Sequence, residues 1–167
     1  MRPLLLLLPL VLALPACGQS VGWDMVRGQI RRDFAQVRQI PPDTLAAWQR
    51  DARPLVLLDV RRPDEYAVSH LAGARNVSPD APASVLAGVS RNARVVAYCS
   101  VGWRSSAFAD RLRKAGYADV SNLDGSIFRW ANEGRPVVDD SGRAVRAVHP
   151  YDRLWGRLLH PSLRASR

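Results

Sequence analysis

The chain has 167 residues, enough for one domain with appendages, and 47% of them are hydrophobic, enough to build a core. Its formal charge is +9, yet residues 41–140 carry 13 basic and 12 acidic side chains, while residues 141–167 carry six arginines and one aspartate. The excess belongs mainly to the tail, and with no nucleic-acid-binding motif and no aromatics set among those arginines as a stacking platform would require, a nucleic-acid partner is not expected.

In chain order, residues 1–16 come first. Arg2 is their only charged side chain, and Leu4 to Leu14 form an apolar stretch of eleven residues. A membrane-spanning helix needs about 20 residues, so the stretch fits the hydrophobic region of a signal peptide. Leu14-Pro15-Ala16-Cys17 follows and resembles the lipobox of bacterial lipoproteins. That resemblance implies cleavage before Cys17, a diacylglycerol on its sulfur and acylation of the new amine. Gly18, rather than aspartate, follows the cysteine, which by the same analogy points to the outer membrane. More than one acyl chain anchors stably where a single chain binds marginally. The expected location is the cell envelope, lipid-anchored and facing the periplasm; an ordinary secretory signal and an uncleaved anchor are the alternatives.

Residues 17–36 read as a lipidated N-terminus followed by an amphipathic helix, with Trp23, Met25, Val26, Ile30 and Phe34 as its apolar set. Val37 to Ile40 suits a short strand, and Pro42, Asp43 and Thr44 start a helix through Trp48. Leu55 to Val60 is a continuous apolar run, the pattern of a buried parallel strand. Pro63-Asp64-Glu65-Tyr66 begins a short helix, Arg75 to Val77 suits a small strand, and Ser84 to Val89 one or two helical turns. Arg94 to Tyr98 is a second buried strand, and it delivers Cys99. Ser105 or Ser106 is the expected cap of a helix running to Lys114, with Gly116 as its stop. Val120 to Leu123 and Ser126 to Asn132 add a strand and a helix, and Pro136 ends the unit. This alternation implies an α/β fold, a small open parallel sheet covered by helices on both faces. In such sheets sites form beyond the carboxyl ends of the strands, and Cys99 stands at one.

A cysteine attacks as its thiolate, and a free thiol near pKa 8.5 is mostly protonated at neutral pH. A tight loop entering a helix directs backbone amides inward, and the helix dipole adds partial positive charge. Gly102 lets the loop Ser100-Val101-Gly102-Trp103-Arg104-Ser105 fold, and Arg104 brings a fixed positive charge. These amides are expected to cradle the sulfur. The competing reading is a buried cysteine acting as a small apolar residue. With Cys17 lipidated, Cys99 has no disulfide partner within the chain.

Three ordered segments then resemble the single-domain rhodanese sulfurtransferases over residues 37–138. Leu58-Asp59-Val60-Arg61, Glu65-Tyr66 and His70 to Val77 resemble the family's first signature. Cys99 to Ser105 resembles its active-site loop, and Leu123-Asp124-Gly125-Ser126-Ile127-Phe128-Arg129-Trp130 its closing signature. Ala72 stands where proline is usual, and Ser126 where a second glycine is usual. The resemblance implies that Cys99 takes the outer sulfur of a small anionic donor such as thiosulfate, becomes a persulfide, and passes the sulfur to cyanide or a thiol. No metal or organic cofactor is implied. Ser100, Val101, Gly102, Trp103, Arg104 and Ser105 would bind the sulfur and its donor, with Trp103 at the rim or packed beside it. Arg104 either faces the donor or turns inward onto Asp59 or Glu65, the second being preferred because an arginine–carboxylate fork fixes geometry. Asp59, Arg61, Glu65 and His70 are expected to be structural supports.

Cysteine-loop phosphatases of the same fold place five residues between Cys and Arg; here four separate Cys99 from Arg104, a tighter loop suited to sulfur. A non-catalytic binding module and an envelope persulfide or redox partner remain alternatives. Residues 139–167 form a basic C-terminal extension. It is expected to fold back so that Tyr151, Trp155 and Leu158 cover the core, with Leu154, Trp155, Leu158 and Leu159 as one helical face. Its arginines read as a solvated surface in preference to a contact with anionic lipid. The sequence fixes no oligomeric state.

Overall fold

The computed structural model describes residues 20–166; the signal and Cys17 lie outside the described residues. Arg38–Ile40 (β1), Leu55–Asp59 (β2), Arg75–Asn76 (β3), Arg94–Tyr98 (β4) and Asp119–Leu123 (β5) form one sheet in the order β1-β5-β4-β2-β3. Every pairing is parallel, with Leu57 opposite Val96 and Val96 opposite Ser121. The inner strands are covered on both faces, which is why their sequences run apolar without polar alternation. Side chains still alternate along each strand. Val96 and Tyr98 enter one core, whereas Val95, Ala97 and Cys99 enter the other.

The helices are Ser20–Asp33 (α1), Pro42–Trp48 (α2), Pro63–Val68 (α3), Trp103–Lys114 (α4) and Ser126–Asn132 (α5). Leu45 of α2 and Ile127, Phe128 and Trp130 of α5 cover one face of the sheet. Phe108, Ala109 and Leu112 of α4 cover the other, together with Leu86 from a 3-10 turn at Ala83–Leu86. That turn is one of the one or two helical turns expected over Ser84 to Val89, begun one residue earlier and in 3-10 form. Helix α1 lays Trp23, Val26 and Ile30 on the domain, but Met25 sits off that stripe and is exposed. Its Arg27 forks onto Asp124, the residue after β5.

Residues 137–145 make a small antiparallel hairpin, Val137–Val138 (β6) with Ala144–Val145 (β7). The segment beyond it packs as part of the same core, burying Val148 and Leu159 completely. It does not form the single helical face expected of Leu154, Trp155, Leu158 and Leu159. The chain instead takes two 3-10 turns, Trp155–Leu158 and Pro161–Leu163. Asp152 Oδ1 accepts the amides of Leu154 and Trp155, each at 2.8 Å, and holds a tight turn that leaves Leu154 exposed.

Candidate active site

Strand β4 runs buried to Tyr98, and the next residue, Cys99, is held at both peptide groups. Its amide donates to Ser126 Oγ at 3.1 Å, and its carbonyl accepts from Ile127 N at 3.2 Å. The Ser100 carbonyl accepts from Phe128 N at 3.1 Å. The closing signature thus braces the cysteine loop. Ser126 does so from a left-handed backbone, φ +51°, a conformation that favours glycine. Gly125 beside it has φ +74°, and a Cβ there would fall 2.5 Å from Arg129 Cβ.

The loop turns at Gly102, whose φ is +116°, and α4 begins at Trp103. Gly102 is therefore the helix cap, and not Ser105 or Ser106 as the sequence suggested. Serine preference at caps yields here to the sharp turn that only glycine takes without strain. Ser105 and Ser106 fall inside the helix and are fully buried. Cys99 Sγ then lies at the N-terminus of a 12-residue helix, where the dipole favours an anion. The Gly102 amide donates to it at 3.2 Å. Burial pushes the Cys99 thiol up, but the Arg104 guanidinium, the Ser105 hydroxyl and amide, and the Gly102 amide outweigh it and bring it below the ordinary thiol value. The Ser105 hydroxyl is buried and closes no hydrogen bond of ordinary geometry. The cradle is narrower than six amides. Gly102 supplies the hydrogen bond to the thiol, while Trp103, Arg104 and Ser105 occupy the first helical turn, where amides have no intrahelical acceptor.

Arg104 turns inward. Its Nη1 and Nη2 fork onto Glu65 Oε2 and Oε1 at 2.8 and 2.9 Å, and Nη2 also donates to Ser100 Oγ at 3.0 Å. Ser100 Oγ donates to Glu65 Oε1 at 3.0 Å, and Glu65 Oε2 accepts the Arg62 amide at 3.1 Å, closing the first turn of α3. Glu65 is fully buried. Burial raises its pKa, but the Arg104 hydrogen bonds and charge, the Arg62 amide and the Ser100 hydroxyl hold it below the usual carboxylate value. Asp59 is unavailable to Arg104 because it forks with Arg61, both fully buried. Arg61 also donates to the Ser69 carbonyl at 2.6 Å. His70 stacks on Tyr66 with ring centroids 3.8 Å apart and bonds back to Val138 through its own amide. It does not line the cavity above Cys99.

That cavity has a volume of about 140 Å³. Cys99, Ser100, Val101, Trp103 and Arg104 line it. Trp103 is exposed at the rim and packs edge-on against Phe34, centroids 5.6 Å apart. Tyr151 and Trp155 of the C-terminal extension complete the wall. Both also pack against the core, as the sequence led one to expect, but sequence reasoning missed the cavity they help to line, and no motif in the tail points to it. Cys99 itself is only 1% exposed, so the cavity is its access. Among the described residues no group of three or more His, Cys, Asp or Glu side chains is placed to hold a metal ion.

The profile of the "Rhodanese-like domain" family matches residues 41–133. A "Probable adenylyltransferase/sulfurtransferase MoeZ" of Mycobacterium tuberculosis is 32% identical over 73% of this chain, which spans only 32% of that protein's length. A "Thiosulfate sulfurtransferase GlpE" of Pseudomonas fluorescens is 27% identical over 58% of this chain and 87% of its own. Among solved structures, a rhodanese-related protein of Thermoplasma volcanium superposes with a TM-score of 0.51 at 26% identity, covering 60% of this chain and 97% of its own. The α/β architecture, the cysteine loop capped at Gly102 and these similarities agree: the chain belongs to the rhodanese-like domain family, whose sulfurtransferases are among its relatives.

Proposed function

We propose that the protein is a rhodanese-type sulfurtransferase working through a Cys99 persulfide. The thiolate attacks the outer sulfur of a donor such as thiosulfate, the donor's S–S bond breaks, and sulfite leaves with the bonding pair. Cyanide or a thiol then attacks the terminal sulfur and restores the thiolate. The observation that carries this reading is a thiol at the head of a helix, lining a small cavity, with its pKa lowered. Arg104, committed to Glu65, is not turned to clamp a tetrahedral phosphate, which weighs against phosphatase chemistry. The protein should form thiocyanate from thiosulfate and cyanide, and mass spectrometry after thiosulfate alone should find one added sulfur on Cys99. Cys99→Ser should abolish both; turnover retained in that variant refutes the nucleophile.

The signal and lipobox-like segment support a second part of the proposal: export, lipidation at Cys17 and a periplasm-facing position on the outer membrane. Labelled fatty acid should enter the wild-type protein and not the Cys17→Ser variant; equal labelling, or none in either, overturns the lipid anchor.

A further inference from the structure

The wall of the cavity comes from outside the family-matched residues. Tyr151 and Trp155 belong to the C-terminal segment, and with Trp103 they place three aromatic side chains around the sulfur. The one cation lining the cavity, Arg104, is already engaged by a carboxylate. Both terminal nitrogens bond Glu65, and its guanidinium lies over the Tyr151 ring, 4.8 Å from the centroid. The helix N-terminus and the Gly102 amide are aimed at Sγ itself, so a dianionic donor entering here loses water and meets in the lining no positive side chain but Arg104, already paired with Glu65, which is costly. A donor whose sulfur is carried on an apolar group loses less and covers the rings.

The wall is built to stay in place. The Tyr151 amide donates to His149 Nδ1 at 3.0 Å, and Tyr151 holds a left-handed backbone at φ +64°. Gly156 comes so close to Pro150 that a Cβ would fall 3.0 Å from the proline Cβ. Fully buried Val148 and Leu159 anchor the segment on either side.

We propose that Tyr151 and Trp155 are specificity-determining residues that select sulfur donors with an organic, apolar carrier over inorganic thiosulfate. The inference rests on Cys99 being the sulfur-accepting nucleophile. Organic thiosulfonates, R–SO₂–S⁻, are suitable probes. The Cys99 thiolate bonds the outer sulfur, the S–S bond breaks, and the sulfinate R–SO₂⁻ leaves with the electron pair, leaving one negative charge on each product. Cyanide then removes the sulfur as thiocyanate.

The test compares benzenethiosulfonate, methanethiosulfonate and thiosulfate with the full-length protein and cyanide as acceptor. The wild type should favour the phenyl donor over thiosulfate in kcat/KM, with the methyl donor between them. Tyr151→Gly, which suits the backbone, and Trp155→Leu, which keeps apolar bulk, should each reduce the phenyl-to-thiosulfate ratio by about tenfold. The loss should appear mainly in KM for the phenyl donor. Comparing ratios between variants cancels the donors' different intrinsic reactivities. Thiosulfate favoured by the wild type, or an unchanged ratio in either variant that retains the wild-type circular dichroism spectrum, overturns the inference alone. No transfer from any donor sinks the sulfurtransferase reading, and this inference with it.

Discussion

Cys99, Arg104 and Glu65 act as one unit. Arg104 lowers the thiol's pKa and is itself fixed by a carboxylate with no solvent exposure. Replacing Arg104 by methionine removes the cation from both. The pH–rate profile for persulfide formation should then move its midpoint upward, because burial, which raises the thiol, is no longer outweighed. The variant should also lose about 3 kcal/mol in denaturant unfolding at pH 7, since buried Glu65 is left with only the looser ion pair to Arg62 at 3.7 Å. The pH dependence has a definite sign. Glu65 has its pKa lowered in the fold, so its contribution is full above the ordinary value of 4.5 and fades as pH falls through the lower folded value. The acid-side weakening should therefore be smaller in Glu65→Gln than in the wild type. Which acid Arg104 would choose was not legible in the sequence. Asp59 ends β2 and Glu65 follows six residues later in α3, and only the fold shows that Arg61 has already taken Asp59. The candidate nucleophile was legible, because an apolar run ending on a cysteine before a glycine-containing polar loop has few physical uses.

At the scale of elements, the turn into α4 decides the geometry of the sulfur. Gly102→Ala would force an L side chain into φ +116° and set its Cβ 3.2 Å from Asn122 Nδ2 and 3.3 Å from Ile30 Cδ1. The expected cost is about 1–3 kcal/mol. Sulfur transfer should fall further than stability does, because the Gly102 amide is the one donating to Sγ. Chemical denaturation and thiocyanate formation on the same preparation separate the two effects. The buried strands β2 and β4 were readable from continuous apolar runs, since nothing but a doubly covered strand suits so short a stretch. The cap of α4 was not. Local preference names serine, whereas the loop's backbone conformation overrides it, and that conformation depends on α5 reaching across from another part of the chain.

Over the whole molecule, the tail is core. Leu159 is fully buried among residues of the same cluster that holds Ile127 and Phe128 of α5. Leu159→Ala should lower unfolding free energy by about 2–5 kcal/mol, read in denaturant, a loss typical of truncation inside a packed cluster. A tail that merely lay in solvent would show almost none. The sequence revealed that these residues were too apolar to be idle. It could not reveal that their turn follows 3-10 rather than α geometry, because that depends on Asp152 bonding two amides and on the Gly156–Pro150 approach.

The depth of Cys99 has one more implication. A thiol exposed in an oxidising setting is open to crosslinking with whatever other thiol drifts near. Here Cys99 is only 1% exposed, and the cavity lined by Tyr151 and Trp155 is the route to its sulfur. In the envelope setting proposed above, the burial that confines a sulfur donor to one approach would also limit the contact of Cys99 with other thiols.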